Sequence, residues 1–389
     1  VRFQHPDGTV VHVAYCTNVH PAEDFDGVLG QLARFAEPVR ERLDTDRLGL
    51  GLWLARDVAT TLLDRPGALH RLVGELAVRG LEVVTLNGFP YEGFGGPEVK
   101  HRVYTPDWSQ PARSAYTADL ARILAALLPA DVVRGSISTL PLGWRHPWFA
   151  DRAGAARQQI GQLGAALTEL AEETGRRIRV GFEPEPGCVI ETTQQAGTHL
   201  ANLDPDLFGV CLDTCHLAVA HEDPAAALVR LTAAGLPVVK VQASVALECA
   251  RPDDPADRQA LKAFVEPRFL HQTREAEAAA DDLDEALGLV AGHPLPAMAP
   301  WRIHFHIPLH AAVEPPLRGT HQVLRTALAE LFGGPVARTD HVEVETYTWS
   351  VLPAQSRPVD DDGLIDSIAA ELSWLRAALT ALGLKELTA

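Results

Sequence analysis

Eight short apolar runs, most of them separated by a longer amphipathic segment, constrain this chain more than any other feature. The runs are Val11–Cys16, Leu48–Leu54, Leu81–Asn87, Val132–Ser138, Arg179–Glu183, Gly209–Asp213, Val238–Gln242 and Val342–Thr346. Helical periodicity covers Phe25–Leu43, Leu62–Arg79, Ala115–Leu128, Ala153–Glu173, Ala225–Ala234 and Val323–Leu331 between them. A continuous apolar run suits a parallel strand, because helices cover one face and the sheet interior fills the other. Eight such strands alternating with helices predict an α/β fold of the closed (β/α)8 TIM barrel type. An open doubly wound sheet would carry a Gly-rich phosphate turn, and no G-x-G-x-x-G follows the first run. The 389 residues exceed a minimal barrel, but no linker or low-complexity tract divides them, so residues 1–389 read as one barrel domain with additions.

Two additions stand out. After the seventh run, residues 250–310 form an insertion. Its stretch Ala250–Pro300, rich in Ala, Asp, Glu and Pro, predicts a helical excursion, and Trp301–Leu309 closes it as a ninth strand-like piece. After the eighth run, Ile365–Leu384 predicts a C-terminal amphipathic helix. The connections Gly88–Trp108 and Leu140–Trp148 are long and aromatic, and in a barrel such loops overhang the active face.

Composition weighs against several classes of function. With 51 acidic against 34 basic residues and a net charge of −17, the composition argues against the broad basic face that nucleic-acid binding usually needs. No apolar run approaches the roughly 18–20 residues that span a bilayer, and Val1–Gly8 carries no leader pattern. Five scattered cysteines form no disulfide framework. Cys16, Cys211 and Cys215, in apolar runs, read as reduced buried thiols of a cytoplasmic protein.

Chemistry concentrates where the runs end. The fifth ends in Glu183-Pro-Glu185-Pro, the sixth in Asp213-Thr-Cys-His216, and the eighth in Glu343-Val-Glu345-Thr. Residues two apart on a strand share a face, so one glutamate of each pair lies at the height of a ring. Prolines beside Glu185 interrupt ladder pairing, which selects Glu183; Glu345 lies nearer the mouth than Glu343. Several carboxylates converging in a buried mouth repel unless a cation joins them. A set of Glu, Asp and amide oxygens favours Mn²⁺ or Mg²⁺, and added imidazole draws it toward Zn²⁺. Asp213 taken alone also reads as a helix N-cap. His304 and His306 read as core histidines or as ligands from the insertion, and His20 as a loop hydrogen-bonding group or a substrate contact. Lys240 and Gln242 share one face of the seventh run, with Gln242 expected inward. Phe89, Tyr91, Trp108, Trp144 and Trp148 serve as loop anchors or as a dry wall for the carbon face of a polyol.

Leu212-Asp-Thr-Cys-His216, with Glu183 before it and Glu345-Thr346 after it, resembles the xylose isomerase-like barrel superfamily of sugar isomerases, ketose epimerases, inosose dehydratases and endonuclease IV-type repair enzymes. A lysine would be expected at Glu185. Within that superfamily the chain is similar to the EboE group of metabolite traffic proteins. The motifs carrying this likeness are Tyr15-Cys-Thr-Asn-Val-His-Pro21, Asn87-Gly-Phe-Pro-Tyr91, Ser136–Gly143, His304-Phe-His-Ile-Pro-Leu309 and Glu343–Trp349. The resemblance implies Glu183, Asp213 and Glu345 as metal ligands. It matches His216 to a zinc ligand of the endonucleases and a substrate contact of the epimerases, and puts Gln242 where histidine is usual. His306 and His304 become candidates to complete the shell. The expected substrate contacts are His20, Asn87, Tyr91, Trp144, Glu185, His216, Lys240 and His304.

The leading expectation is a divalent-metal-dependent isomerase or epimerase of a sugar, cyclitol or their phosphate, with Glu183 and Glu345 as the acid–base pair of an enediolate mechanism. A zinc-dependent phosphodiester hydrolase and a non-catalytic metabolite-binding or traffic protein are the alternatives. A homo-oligomer is compatible with each.

Overall fold

The computed structural model describes residues 1–387. Eight parallel strands form the barrel: β1 Val10–Cys16, β2 Leu48–Trp53, β3 Leu81–Asn87, β4 Arg134–Thr139, β5 Arg177–Phe182, β6 Phe208–Asp213, β7 Val238–Ala243 and β8 His341–Val344. Each pairs with the next, and β8 returns to β1 through His341 opposite His12 and Val344 opposite Tyr15, which closes the sheet. Closure explains the unbroken burial of strands such as β2, β3, β6 and β7, whose inner side chains fill the barrel while helices cover the outer ones. Arg2–Gln4 adds antiparallel to β1, and Lys385–Leu387 adds to Arg2–Gln4.

The expected helices are present with local differences. The periodic stretch read as Leu62–Arg79 is two helices, Arg56–Asp64 and Ala68–Val78. Pro66 and Gly67 break it, and Gly67 takes the left-handed φ of 79° at the second N-cap that glycine tolerates best. A helix absent from the sequence reading, Thr193–Leu200, joins β5 to β6; Thr192 and Gln195 form its capping box, a signature legible in sequence. The C-terminal helix runs from Asp361 to Ala381.

The insertion corrects the expectation of a helical excursion. Leu247–Cys249, Thr273–Glu275, Ala278–Ala280, Trp301–Ile303 and Arg318–Gly319 build a second, antiparallel sheet, with only short helices at Pro255–Leu261 and Leu283–Ala286. Three-residue strands leave no periodicity in an Ala-rich sequence. Long-range ties hold them: Glu275 accepts from the backbone N–H groups of Ala297 and Ala299 and from Trp301 Nε1, each within 2.9 Å. Trp301–Ile303 is a strand as expected, but His304–Leu309 leaves the sheet and turns across the barrel mouth.

Candidate functional site

Each carboxylate of the mouth is delivered by the last hydrogen bonds of its strand. Glu183 follows β5, its N–H still donating to Thr139 O at 2.9 Å, and Glu345 follows β8, donating to Ala243 O at 3.2 Å. Asp213 ends β6 and caps the helix Thr214–Val219. Its Oδ1 accepts from Cys215 N at 2.7 Å, His216 N at 2.9 Å and Ser244 Oγ at 2.7 Å. The N-cap and ligand readings of Asp213 are therefore compatible, because the cap occupies one oxygen and leaves Oδ2 buried without a partner. Glu345 Oε1 accepts from Asn18 Nδ2 at 2.7 Å and Asn87 Nδ2 at 2.9 Å. One oxygen each from Glu183, Asp213 and Glu345 lie within 4.8 Å of one another.

Burial and mutual repulsion act together on this set. Burial pushes Glu183 well above the usual carboxylate range, with Glu345 and Asp213 adding to the rise. Burial likewise raises Glu345 to about 8, with Asp213 and Glu343 contributing. Both shifts favour the protonated form of Glu183 and Glu345 while no cation joins them.

The insertion supplies the imidazoles. His306 Nδ1 lies 2.6 Å from Glu345 O, a contact that requires the proton on Nδ1 and leaves the lone pair on Nε2. That Nε2 is buried and unpartnered, and His306 forms a ligand-like group with Asp213 and His216 within 4.8 Å. His304 Nδ1 is 2.7 Å from Gln272 Oε1 and its Nε2 is 3.0 Å from His216 Nε2. His216 Nδ1 meets Pro184 O at 2.9 Å, and its Nε2 is 3.0 Å from Glu185 Oε2. Burial works to lower the pKa of His216, but Asp213, Glu185 and Glu183 outweigh it and hold it well above the usual histidine value. His304, buried beside that cation, is lowered well below it. One consistent proton assignment follows: an imidazolium at His216 donates to Pro184 O and toward Glu185 and His304.

The two neighbouring clusters therefore differ. Glu185, His216 and His304 satisfy one another, with Tyr104 OH donating to Glu185 Oε1 at 2.9 Å and Gln272 Nε2 donating to Tyr104 OH at 2.8 Å. Around the three carboxylates, Glu183 Oε2, Asp213 Oδ2, Asn18 Oδ1, Gln242 Oε1 and His306 Nε2 all lack partners. Unpaired buried acceptors cost on the order of 1–3 kcal/mol each, and a divalent cation is the partner that satisfies several at once. Oxygen donors with one imidazole fit such an ion.

Several expected residues lie elsewhere. Lys240, expected among the substrate contacts, is fully buried, with Nζ 2.9 Å from Glu343 Oε2, and is absent from the lining of the recess. Gln242 faces inward as expected, between Asp213 and Glu343 in register, its Nε2 3.4 Å from Glu343 Oε1. His20 is a core histidine, stacked on Phe35 at 4.6 Å and bonded to Tyr15 OH at 3.1 Å. Tyr91 packs against Tyr116 at 5.0 Å, away from the recess. Trp144 backs Tyr104 from outside at 4.9 Å, and a Cβ on Gly187 would strike its ring. Asn87, Glu183, Glu185, His216, His304, His306 and Glu345 all line the recess, which counted out to its open mouth encloses about 520 Å³. The sequence reading missed Asn18, Tyr104, Gln272 and Tyr347. Asn18 and Tyr347 lie inside motifs already singled out, whereas nothing near Gln272 marks it.

Comparison with known proteins agrees with this architecture. No curated protein sequence matches the chain. Among solved structures, a xylose isomerase-like TIM barrel protein from Mycobacterium smegmatis in complex with magnesium superposes with a TM-score of 0.53 at 13% identity, covering 95% of this chain and 98% of its own. An Anabaena variabilis protein provisionally described as a sugar phosphate isomerase/epimerase gives 0.52 at 13% identity, covering 96% and 99%. An L-ribulose 3-epimerase gives 0.51 at 11% identity, covering 96% of each chain. Likeness at these identities concerns the fold. The family model described as xylose isomerase-like TIM barrel matches residues 55–251, more than half of the chain, and the protein belongs to that family.

Proposed function

We propose that this protein is a divalent-metal-dependent isomerase or epimerase of a small polyol, sugar or cyclitol, working by proton transfer through an enediolate. The observation that carries this reading is the convergence of one oxygen each from Glu183, Asp213 and Glu345 within 4.8 Å, with Asp213 also within that distance of His306, and with buried unpartnered atoms on Glu183, Asp213 and His306. Magnesium in a barrel of the same fold supports it, and Mn²⁺ or Mg²⁺ suits the oxygen-rich set better than Zn²⁺. When bound, the cation would hold two neighbouring substrate oxygens and stabilise the charge that develops as a C–H proton leaves. Glu183 and Glu345, from β5 and β8, exchange protons with the substrate carbon. Asn18 and Asn87 fix the Glu345 carboxylate, while both N–H groups of His216 are engaged by Pro184 O and by Glu185 and His304, so that His216 helps to hold the wall of the site. Motif residues of the EboE group, among them Asn18, Asn87, His304, His306 and Tyr347, line the recess, which supports placing the chain in that group. The free, buried state of all five cysteines supports a reducing, cytoplasmic setting.

Metal content of protein purified without chelator, compared with Asp213→Asn, tests the site. About one equivalent of Mn or Mg, lost in the variant, is expected. In heavy water, ketoses and keto-cyclitols, which carry the carbonyl that an enediolate requires, should exchange a carbon-bound proton with the wild type and not with Glu183→Gln or Glu345→Gln; exchange retained in both variants overturns the acid–base assignment. A second reading, a zinc-dependent phosphodiester hydrolase, draws on the cluster Glu185, His216 and His304. Two or three bound zinc ions would favour it.

A further inference from the structure

The recess changes character with height. Its floor carries the carboxylates, Asn18, Asn87 and the imidazoles, whereas its upper wall is built from Phe89, Phe94, Val99, Val103, Phe269 and Leu270. This wall joins two separate pieces of chain: the connection after β3 supplies the first four, and the insertion supplies the last two. They are stitched together by Val99 N donating to Arg268 O at 2.7 Å and Arg268 Nη2 donating to Phe94 O at 3.0 Å. Phe94 and Phe269 lie 5.6 Å apart, and both pack on Tyr347, at 5.5 and 4.9 Å. The wall is therefore a packed, apolar surface shared by the two pieces.

A phosphorylated substrate needs free cationic or N–H donors for its oxygens. Among the described residues that line the recess, Lys100 is the one Lys or Arg, and its Nζ is held 2.6 Å from Asp282 Oδ2. Barrels often bind phosphate with the loops after their seventh and eighth strands. Here those two connections contribute Phe269, Leu270, His304, His306 and Tyr347, which include no such donor set. Glu183, Glu185 and Glu345 on the same lining add repulsion.

We infer that the substrate joins a short oxygen-bearing end, bound at the floor, to an uncharged apolar arm that packs between the loop after β3 and the insertion, and that sugar phosphates are excluded. This rests on the metal-dependent reading above and narrows its substrate class. The arm gains by leaving water; the floor alone fixes the reacting oxygens.

Three hydroxamates, which chelate a divalent ion as an enediolate would, test it by calorimetry on the manganese-loaded full chain: acetohydroxamate, phenylacetohydroxamate and phosphonoacetohydroxamate. Burying a phenyl-sized arm should tighten binding roughly tenfold or more over the acetyl probe, and the phosphonate arm should weaken it. Val103→Arg, which adds a cation to the wall, should reverse that order. The wild-type ranking is sufficient if the variant does not fold. Equal affinities, or a preference for the phosphonate, overturn the apolar-arm assignment while leaving the metal reading in place. Failure of all three to bind removes the metal reading and this inference with it.

Discussion

Replacing Lys240 by methionine tests how the barrel tolerates charge beneath its mouth. Lys240 and Glu343 are both fully buried and 2.9 Å apart, and burial, which would lower the lysine pKa, is overcome by Glu343, which raises it. The pair fits because β2 has glycine at position 51: a Cβ there would overlap the Glu343 carboxylate. Lys240→Met leaves a carboxylate buried without its cation, a change that typically costs about 3–5 kcal/mol. A second estimate agrees. A stranded carboxyl escapes by taking a proton, and for an ordinary glutamate of pKa near 4.3 that costs about 3.7 kcal/mol at pH 7. Unfolding entropy of about 2.1 cal/mol/K per residue gives roughly 0.8 kcal/mol/K for a chain of this length, so Tm at pH 7 should fall by about 4–6 °C. At pH 5 protonation costs only about 1 kcal/mol, and most of the deficit should disappear. The double variant Lys240→Met/Glu343→Gln has no charge to strand and should recover most of the loss. Scanning calorimetry of the three proteins at both pH values decides the matter. An unchanged Tm in Lys240→Met, or a double variant worse than the single, would refute the claim that the two charges exist for each other.

Two further carboxylates give stability signatures of opposite sign. Glu371, on the C-terminal helix, accepts at Oε1 from Leu309 N at 2.9 Å and Thr346 Oγ1 at 2.6 Å, yet burial raises its pKa from 4.5 to about 8. The folded state therefore holds a proton that the unfolded chain releases above 4.5, so stability declines as pH rises from 4.5 through 8. Glu371→Gln should match the wild type near pH 4.5 and exceed it by on the order of 2–4 kcal/mol at pH 8.5 in urea melts. Glu82 behaves in reverse. Burial would raise its pKa, but His12 and the two-toothed contact from Arg2 at 3.0 and 2.7 Å lower it to about 2. Its contribution is present above pH 4.5 and lost as pH falls through 2. Glu82→Gln should cost about 2–3 kcal/mol at pH 7 and almost nothing near pH 2, checked by the same melts.

What the amino-acid sequence discloses here follows from which constraints are local. Strands buried on both faces must be apolar throughout, so all eight barrel strands were legible to within a few residues. A carboxylate just past such a strand has one direction to point, which is why Glu183, Asp213 and Glu345 could be named together. Height within the barrel is not local. Alternation placed Lys240 and Gln242 on one inward face, but only closure of β8 onto β1 and β7 reveals that Lys240 sits a layer lower with Glu343. The insertion was misread for a related reason: strands of three residues have no period, and their order is set by pairings such as Trp301 with Cys249. Tyr104, which donates to Glu185, and Gln272, which donates to Tyr104, come from loops 168 positions apart in sequence, and no neighbouring residue announces that meeting. His20 and Tyr91, in motifs that otherwise converge on the mouth, show that a motif can mark packing as readily as chemistry.

The exchange between Gln242 and His306 follows from this division of labour. On β7, where the resemblance leads one to expect an imidazole, Gln242 turns its amide toward Glu343 and so belongs in part to the charged layer below. The free imidazole nitrogen comes instead from His306, fixed by the carbonyl of Glu345, and His306 stands at the end of the segment that the insertion carries across the mouth. On the proposed reading, the ligand set spans two structural units: three carboxylates on barrel strands and one imidazole on the insertion. Three carboxylates oppose one another until a dication joins them, whereas a neutral imidazole adds a donor without adding repulsion. Moving that donor from the rigid strand to the insertion makes completion of the shell depend on the insertion being docked. The same docking builds the apolar wall with Phe269 and Leu270. Ion and apolar arm therefore act on one element, and each should favour the arrangement that the other requires.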